Sequence, residues 1–132
     1  MSEAEPPVDI LAFGEPMIEF NETGQRHAGG GALYLQGFGG DTSNFAIAAA
    51  RQGAHTGYLS AVGDDGNGRL LRALWEAEGV DHHSVRTDAA AFTAIYFVTH
   101  APQGHAFHFF RAGSAASRMT PADLPRERIE PA

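Results

Sequence analysis

The stretch GFGGDTSNFAIAAARQG, residues 37–53, decides the fold. Its first half is glycine, hydroxyl and acidic chemistry, and its second half is an alanine-rich apolar run with no breaker before Gly53. This change of composition predicts a tight turn at residues 39–40 and a helix over Thr42–Gln52, with one of residues 41–43 as its side-chain cap. A helix that starts directly behind a glycine turn also points its backbone N–H groups at that turn.

The segments around this helix alternate between strand and helix. Val8–Phe13 (VDILAF) is a nearly continuous apolar run, which predicts a central parallel strand buried on both faces. His55–Val62 predicts the next strand, and Arg69–Glu78 places its leucines and tryptophan at helical spacing. Alternation in blocks of this size predicts a parallel sheet with right-handed crossovers.

Four further segments depart from that rhythm. Met17–Phe20 and Ala32–Gln36 are short and mixed, while Phe92–His100 and His105–Arg111 flank the turn sequence APQG. We expect them to form an antiparallel lid beside the main sheet. The proline-containing tail, Thr120–Ala132, adds no predicted strand, so the parallel sheet looks incomplete, and we expect the chain to be the amino-terminal part of a longer protein.

Composition narrows the classes of function. The 132 residues fit one domain at most, carry a net charge of −7 and contain no cysteine. The negative charge argues against nucleic acid or an anionic membrane as the main partner. The acidic opening MSEAEPPVDI lacks the apolar core of a signal peptide. We therefore expect a cytoplasmic protein whose main partner is neither nucleic acid nor a membrane.

The glycine turn has two interpretations when it is considered alone. It either holds a ligand with electron-rich oxygens or is a tight turn in front of a capped helix. It is not a dinucleotide fingerprint, because Thr42 stands where the third glycine is needed, and no GK[ST] follows to make a P-loop.

The glycine turn and the segments after it carry a spaced set of residues: Gly39, Gly40, Asn44, Ala46, Gly53 and Gly63. This set resembles the first signature of the ribokinase-like, or PfkB, carbohydrate kinases. Thr42 departs from the small residue that the signature prefers. The stretches GFGGDTSN, FGEPMIEF, FTAIYF and HFFRAGSAAS resemble more narrowly the 2-keto-3-deoxygluconate kinases of that family.

The resemblance implies an α/β fold, with a Rossmann-like parallel core and a small antiparallel β lid over a sugar. Residues 1–132 would be the amino-terminal part of one ribokinase-like domain, with lid strands at about 17–36 and 92–111. Relatives often carry Tyr where Phe109 and Phe110 stand, which leaves the sugar open, and Arg111 would suit a carboxylate. Without the family, Arg111 would be an exposed strand charge. The implied substrate-binding residues are Gly40, Asp41, Thr42, Ser43, Asn44, Tyr96, Phe109, Phe110 and Arg111.

The same resemblance implies ATP- and Mg²⁺-dependent phosphorylation of a sugar acid, 2-keto-3-deoxygluconate first. Fructose or another sugar is the alternative within the family, and a non-catalytic sugar-binding or remnant module is the alternative outside it. The family's catalytic Asp lies in a GAGD motif, which this sequence lacks. We expect no catalytic, nucleotide-binding or metal-binding residue in this chain, which would be inactive alone, and a homodimer formed through the lid.

Three other groups of polar residues have simpler interpretations beside the functional ones. Glu19 lies where relatives place a sugar-binding acid, but it also fits a solvated strand residue. The pair Asp64 and Asp65 suggests a helix cap and a turn residue rather than a metal site. His105 and His108, with His100 across the turn, could suggest a metal, but positions i and i+3 of a strand face opposite ways, which favours ordinary lid residues.

Overall fold

The computed structural model describes residues 7–130, so the leader, residues 1–6, and the last two residues of the tail lie outside the described part. Two sheets and two main helices form the fold, as predicted. Three strands make a parallel sheet in the order β1-β4-β5, and four make a second sheet in the order β3-β2-β6-β7. The strands are β1 (Ile10–Phe13), β2 (Met17–Arg26), β3 (Ala32–Gly39), β4 (Thr56–Gly63), β5 (Val85–Asp88), β6 (Ile95–Ala101) and β7 (Gly104–Phe110).

The central strand of the parallel sheet is β4, not the apolar run at residues 8–13. All eight residues of β4 are buried, whereas β1 pairs only with β4 within the described chain and leaves Phe13 exposed. Within residues 7–130, the prediction of a central first strand is therefore wrong. The burial of β4 is hard to predict from its sequence, because several of its buried residues are polar. Their hydroxyls form hydrogen bonds inside the protein: Thr56 Oγ1 donates to the Ala46 carbonyl at 3.0 Å, and Ser60 Oγ donates to the Gly14 carbonyl at 2.7 Å.

The third parallel strand, β5, was not predicted from the sequence. Its sequence VRTD is short and charged, and only Val85 is buried. Arg72 on the preceding helix donates to the Val85 carbonyl at 2.7 Å and to Thr87 Oγ1 at 2.9 Å. β5 can therefore be polar because it lies at the edge of the three-stranded sheet and Arg72 forms hydrogen bonds with it.

Helix α1 (Asp41–Arg51) and helix α2 (Gly66–Glu78) lie where the sequence placed helices, and α2 starts three residues earlier than predicted. The predicted side-chain cap of α1 was wrong, because the N-cap residue is Gly40, which has no side chain. Residues 41–43 lie inside the first turn instead. The cap of α2 is confirmed: Asp65 accepts from the backbone N–H of Gly68 at 2.7 Å.

The lid is confirmed as a four-stranded sheet. β2 pairs antiparallel with β3 and parallel with β6, and β6 pairs antiparallel with β7. This register makes cross-strand rows whose members share one face. One row is Gly37, Glu19, Tyr96 and Phe109, and the next is Leu35, Asn21, Val98 and Phe107; we call the face that carries these rows the inner face of the lid.

The core lies between the parallel sheet and the two helices, and it extends to the base of the lid. Trp75 is fully buried, packs 5.2 Å from Tyr58 between ring centroids, and donates to Ser43 Oγ at 2.9 Å. Lid residues on the opposite face from Tyr96 pack against the same core. The core members are Ala12, Ile18, Ala46, Ile47, Tyr58, Val62, Leu71, Trp75, Val80 and Val85.

After the lid, the secondary structure of the described residues consists of short helical turns. The sequence predicted no strand in the tail. Two 3-10 turns, Ala116–Arg118 and Pro121–Asp123, precede α3 (Arg126–Ile129). No helix within residues 7–130 has the length and apolar character needed to cross a bilayer.

Candidate functional site

A cavity of about 410 Å³ lies between the first turn of α1 and the inner face of the lid. It brings together segments that are far apart in the sequence: the link after β1, the glycine turn, β6 and the end of β7. Six of the nine residues that the sequence proposed for substrate binding line it. The lining residues are Glu15, Met17, Gly40, Asp41, Thr42, Tyr96, Phe107, Phe109 and Arg111.

The glycine turn shapes this cavity by the absence of two side chains. A Cβ on residue 39 would overlap the ring and hydroxyl of Tyr96, so Gly39 lets that ring approach the turn. Gly40 has φ +98°, and a Cβ there would come within 2.5 Å of the Glu15 carbonyl oxygen. Position 40 therefore requires glycine, and position 39 requires it for as long as the Tyr96 ring keeps its place.

The first turn of α1 presents backbone N–H groups and two side chains to the cavity. Asp41 is exposed, and the Thr42 hydroxyl lies 2.8 Å from the hydroxyl of Tyr58. Burial raises the pKa of Tyr58 to about 12, so this phenol stays protonated. The positive end of the helix dipole favours an electron-rich oxygen in front of this turn.

Tyr96 reaches the cavity from β6 and is held by Glu19 on β2. Its hydroxyl donates to Glu19 Oε2 at 2.7 Å. Burial raises the pKa of Tyr96 above its ordinary value, and the hydrogen bond and charge of Glu19 act in the same direction. Tyr96 is therefore a neutral phenol whose proton points at Glu19, leaving its oxygen lone pairs to accept a hydrogen bond.

Arg111 provides the cation of the cavity. Its guanidinium carbon lies 5.3 Å above the centroid of the Phe109 ring, and its Nε lies 4.0 Å from Glu15 Oε1. Ser114 Oγ donates to the other carboxylate oxygen of Glu15. The arginine is more than half exposed, so its planar group remains accessible to a ligand.

Three residues proposed from the sequence lie outside the lining of this cavity. Ser43 is buried and accepts the Trp75 indole N–H, and Asn44 lines a different surface depression beside Phe38 and Ile47. Phe110 lies on the opposite face of the lid from Phe109 and makes an edge contact with Phe97 at 5.8 Å. The two-residue period of a strand separates neighbours in this way.

Three lining residues were missed as site residues by reasoning from sequence. Phe107 was not among the proposed residues, although its i,i+2 spacing from Phe109 puts both rings on one face. No sequence motif marks Glu15 or Met17 as a binding residue. They line the cavity because the link after β1 passes next to Gly40 in the folded chain. Among residues 7–130, no group of three or more His, Asp or Glu side chains could hold a metal ion.

These features define an α/β protein in which a β lid covers a polar cavity at the start of a core helix. Residues 8–132 match the pfkB family carbohydrate kinase profile, and the chain belongs to that family. The resemblance inferred from the glycine turn is thus confirmed.

The relatives include kinases for two kinds of sugar. The 2-dehydro-3-deoxygluconokinase of Thermoproteus tenax, named for the same sugar acid as above, is 34% identical over 132 residues, covering 98% of this chain and 41% of that protein. Fructokinase-1 of Oryza sativa subsp. japonica is 39% identical over 124 residues, covering 92% and 38%.

Solved structures show the same fold. A PfkB protein from Polaromonas sp. JS666 aligns with a TM-score of 0.81 and 32% identity, covering 91% of this chain and 40% of that one. A fructokinase with bound ATP from Xylella fastidiosa aligns with a TM-score of 0.83 and 27% identity, and the alignment covers 89% of this chain and 37% of that one. The chain therefore spans about two fifths of the length of the relatives it matches.

Proposed function

We propose that this chain forms the sugar-binding part of a cytoplasmic, ATP-dependent carbohydrate kinase whose substrate is a sugar acid, 2-keto-3-deoxygluconate. The single observation that carries the proposal is the cavity in which the first turn of α1 faces Arg111 and Tyr96. Family membership supports a carbohydrate kinase in general. The Thermoproteus tenax relative, by its name, favours this sugar acid.

Each lining group has a defined role in this proposal. Asp41 and Tyr96 accept hydrogen bonds from sugar hydroxyls, and the first-turn N–H groups donate to sugar oxygens. Phe107 and Phe109 cover the apolar face of the sugar. Arg111 binds the sugar carboxylate through its planar fork, which fits two carboxylate oxygens at once.

A specific observation favours a second candidate, a neutral sugar such as fructose. Glu15 lies beside Arg111 and partly neutralises it, and Asp41 adds a further negative charge to the same cavity. A sugar carboxylate must displace Glu15 from Arg111 and avoid Asp41, whereas a neutral sugar meets no such repulsion. The rice fructokinase relative is consistent with this alternative.

Titration calorimetry of the chain with each sugar tests both candidates. We expect 2-keto-3-deoxygluconate to bind more tightly than fructose, and Arg111→Ala to remove that preference. The matched control is Arg69→Ala, an exposed arginine paired only loosely with Asp64 at 3.3 Å. Fructose binding that is unaffected by Arg111→Ala would favour the second candidate, and binding of neither sugar would contradict a sugar site in this chain.

The chain does not contain the GAGD motif that holds the catalytic Asp in the family it resembles. The Asp and Glu side chains described here also offer no cluster for Mg²⁺. We therefore propose that the chain binds and orients the sugar but transfers no phosphoryl group by itself, and that ATP and Mg²⁺ are held by other parts of the kinase. ADP release that depends on the sugar and on the purified 132-residue chain would contradict this.

We also propose that the kinase is a homodimer joined through the lid. Beyond the residues that line the cavity, the inner face of the lid exposes large apolar side chains such as Leu35. Exposed apolar area of this kind is typical of surfaces that associate.

A further inference from the structure

Two histidines face each other at the open end of the lid. His100 on β6 and His105 on β7 are cross-strand partners next to the turn that joins these strands. Their Nδ1 atoms are 2.6 Å apart, and their ring centroids are 4.6 Å apart with the planes nearly perpendicular. Both side chains are exposed, so solvent reaches the point between the two nitrogens.

A chain of hydrogen bonds fixes the orientation of His100. Asn21 Nδ2 donates to Glu19 Oε1 at 3.0 Å, which leaves Asn21 Oδ1 as an acceptor. His100 Nε2 lies 2.7 Å from that oxygen and must donate to it. The proton of neutral His100 is therefore on Nε2, and its Nδ1 lone pair points at His105.

This arrangement matches the way proteins prepare a histidine to bind a metal. A ligating imidazole commonly donates its other N–H to a fixed oxygen, which sets the tautomer and the ring orientation. Asn21 supplies that oxygen for His100. His105 needs only to carry its proton on Nε2 for a second lone pair to face the same point.

We propose that His100 and His105 bind one divalent transition-metal ion, such as Zn²⁺, through their Nδ1 atoms, with solvent as the remaining ligands. Zinc–nitrogen distances of about 2.0–2.1 Å in tetrahedral geometry place two ligand nitrogens roughly 3.3 Å apart. The rings must therefore separate by about 0.7 Å from their hydrogen-bonded distance. Exposed side chains at the end of a hairpin can make this adjustment by small rotations. Imidazole ligands favour Zn²⁺, Cu²⁺ and Ni²⁺ over Mg²⁺, which prefers oxygen.

Other histidines of the chain are oriented by different partners. His82 contacts Arg72 at 3.0 Å and Glu76 at 2.9 Å, and His83 lies 2.7 Å from Asp81. His108 lies on the face of the lid opposite to His105, as the sequence predicted, and its Nε2 is 3.4 Å from Thr99 Oγ1. The spacing that argues against a pair of His105 and His108 does not apply to His100 and His105, because these two are partners across strands.

Titration of the untagged 132-residue chain with ZnCl₂, followed by calorimetry, tests the proposal. We expect one Zn²⁺ per chain, with affinity reduced about ten-fold or more in His105→Ala and in His100→Ala. His108→Ala is the matched control on the same strand and should bind Zn²⁺ like the unchanged chain. MgCl₂ should give no binding heat.

A second variant tests the role of Asn21. Asn21→Ala keeps both histidines but removes the oxygen that orients His100, so we expect Zn²⁺ affinity to fall by about ten-fold. Circular dichroism of each variant checks that the fold is retained. The proposal is overturned if the chain binds no Zn²⁺, if folded His105→Ala binds it equally well, or if His108→Ala loses as much affinity as His105→Ala.

Discussion

Gly40 determines how the chain enters α1, and its replacement gives a test at the scale of one residue. Its backbone has φ +98°, and a Cβ would come within 2.5 Å of the Glu15 carbonyl oxygen. We expect Gly40→Ala to lower the free energy of unfolding by more than the roughly 1–2 kcal/mol that an unfavourable φ costs by itself. Urea unfolding followed by the fluorescence of Trp75, the single tryptophan, measures this.

Gly53 provides the matched control for Gly40. It has the same φ of +98°, but a Cβ there would meet no atom within 4 Å. Gly53→Ala therefore reports the conformational cost alone, and the difference between the two variants reports the overlap with Glu15. Equal losses in both variants would mean that the turn can move away from Glu15 without cost.

Reasoning from sequence identified residue types in the site better than it identified their contacts. Asp41, Tyr96 and Arg111 were proposed from a family resemblance, and they line one cavity. Ser43 was a reasonable cap by its chemistry, but its hydroxyl is used by Trp75, a residue 32 positions away. Contacts across that separation depend on packing, which local sequence rules do not describe.

At the scale of elements, Asp65 joins the start of α2 to the segment before β6. Its carboxylate accepts from the backbone N–H of Gly68 at 2.7 Å, and from the backbone N–H and hydroxyl of Thr93 at 3.0 and 2.7 Å. Burial alone would raise the pKa of Asp65, but these hydrogen bonds outweigh it and lower the pKa below its ordinary value. The carboxylate is thus a structural junction.

We expect Asp65→Ala to lower the free energy of unfolding by about 1–3 kcal/mol, since it removes a helix cap and leaves the Thr93 donors without their acceptor. Asp64→Ala is the neighbouring control. Asp64 is exposed and pairs with the exposed Arg69 at 3.3 Å, so its loss should change stability by less than about 0.5 kcal/mol. Urea unfolding of the two variants compares them, and an equal effect would argue against the junction.

The order of elements was predictable, but their places in the sheet were only partly so. The positions of apolar runs and the spacing of apolar residues were enough to predict both long helices and six of the seven strands. β5 was missed because three of its four residues are polar, and β1 was taken as central because it is more apolar than β4. A strand with polar residues can lie in the centre of a sheet when those residues form hydrogen bonds inside the protein. The hydroxyls of β4 do so with the carbonyls of Ala46 and Gly14.

At the scale of the whole molecule, an ion pair between distant segments holds the tail on the core. Arg128 on α3 donates to Asp81 Oδ2 at 3.0 Å, and the two side chains are only 9% and 8% exposed. Burial alone would raise the pKa of Asp81, but hydrogen bonds from Arg128 and His83 outweigh it and lower the pKa to about 2. The folded state therefore binds this carboxylate's proton less readily than the unfolded state does.

This difference in pKa predicts how stability depends on pH. A carboxyl with a depressed folded-state pKa contributes stability fully above its unfolded-state pKa of about 4, and that contribution is lost as pH falls toward 2. We expect unfolding free energy, measured in urea from pH 5 to pH 2, to fall more steeply for the unchanged chain than for Asp81→Asn. Parallel curves for the two proteins would contradict this assignment.

Residues 7–130 also expose two apolar surfaces that should behave differently in solution. One is the inner face of the lid beyond the cavity, where Leu35 is 68% exposed. The other borders the parallel sheet, where Phe13 is 58% exposed beside an apolar cavity of about 480 Å³. We expect the second surface to make the chain poorly soluble, because unpaired sheet edges and uncovered apolar area favour aggregation without a defined partner.

The proposed dimer through the lid can be tested by replacing an exposed apolar residue of the lid. Burying Leu35 at an interface contributes roughly 1.5–3 kcal/mol, so Leu35→Ser should raise the dimer dissociation constant by about ten-fold or more. Phe13→Ser should leave that constant unchanged and reduce only the larger aggregates. Sedimentation equilibrium at several concentrations separates the two effects, because a dimer gives a defined mass and aggregation does not. A chain that stays monomeric, or a dimer lost through Phe13→Ser alone, would place association elsewhere than on the lid.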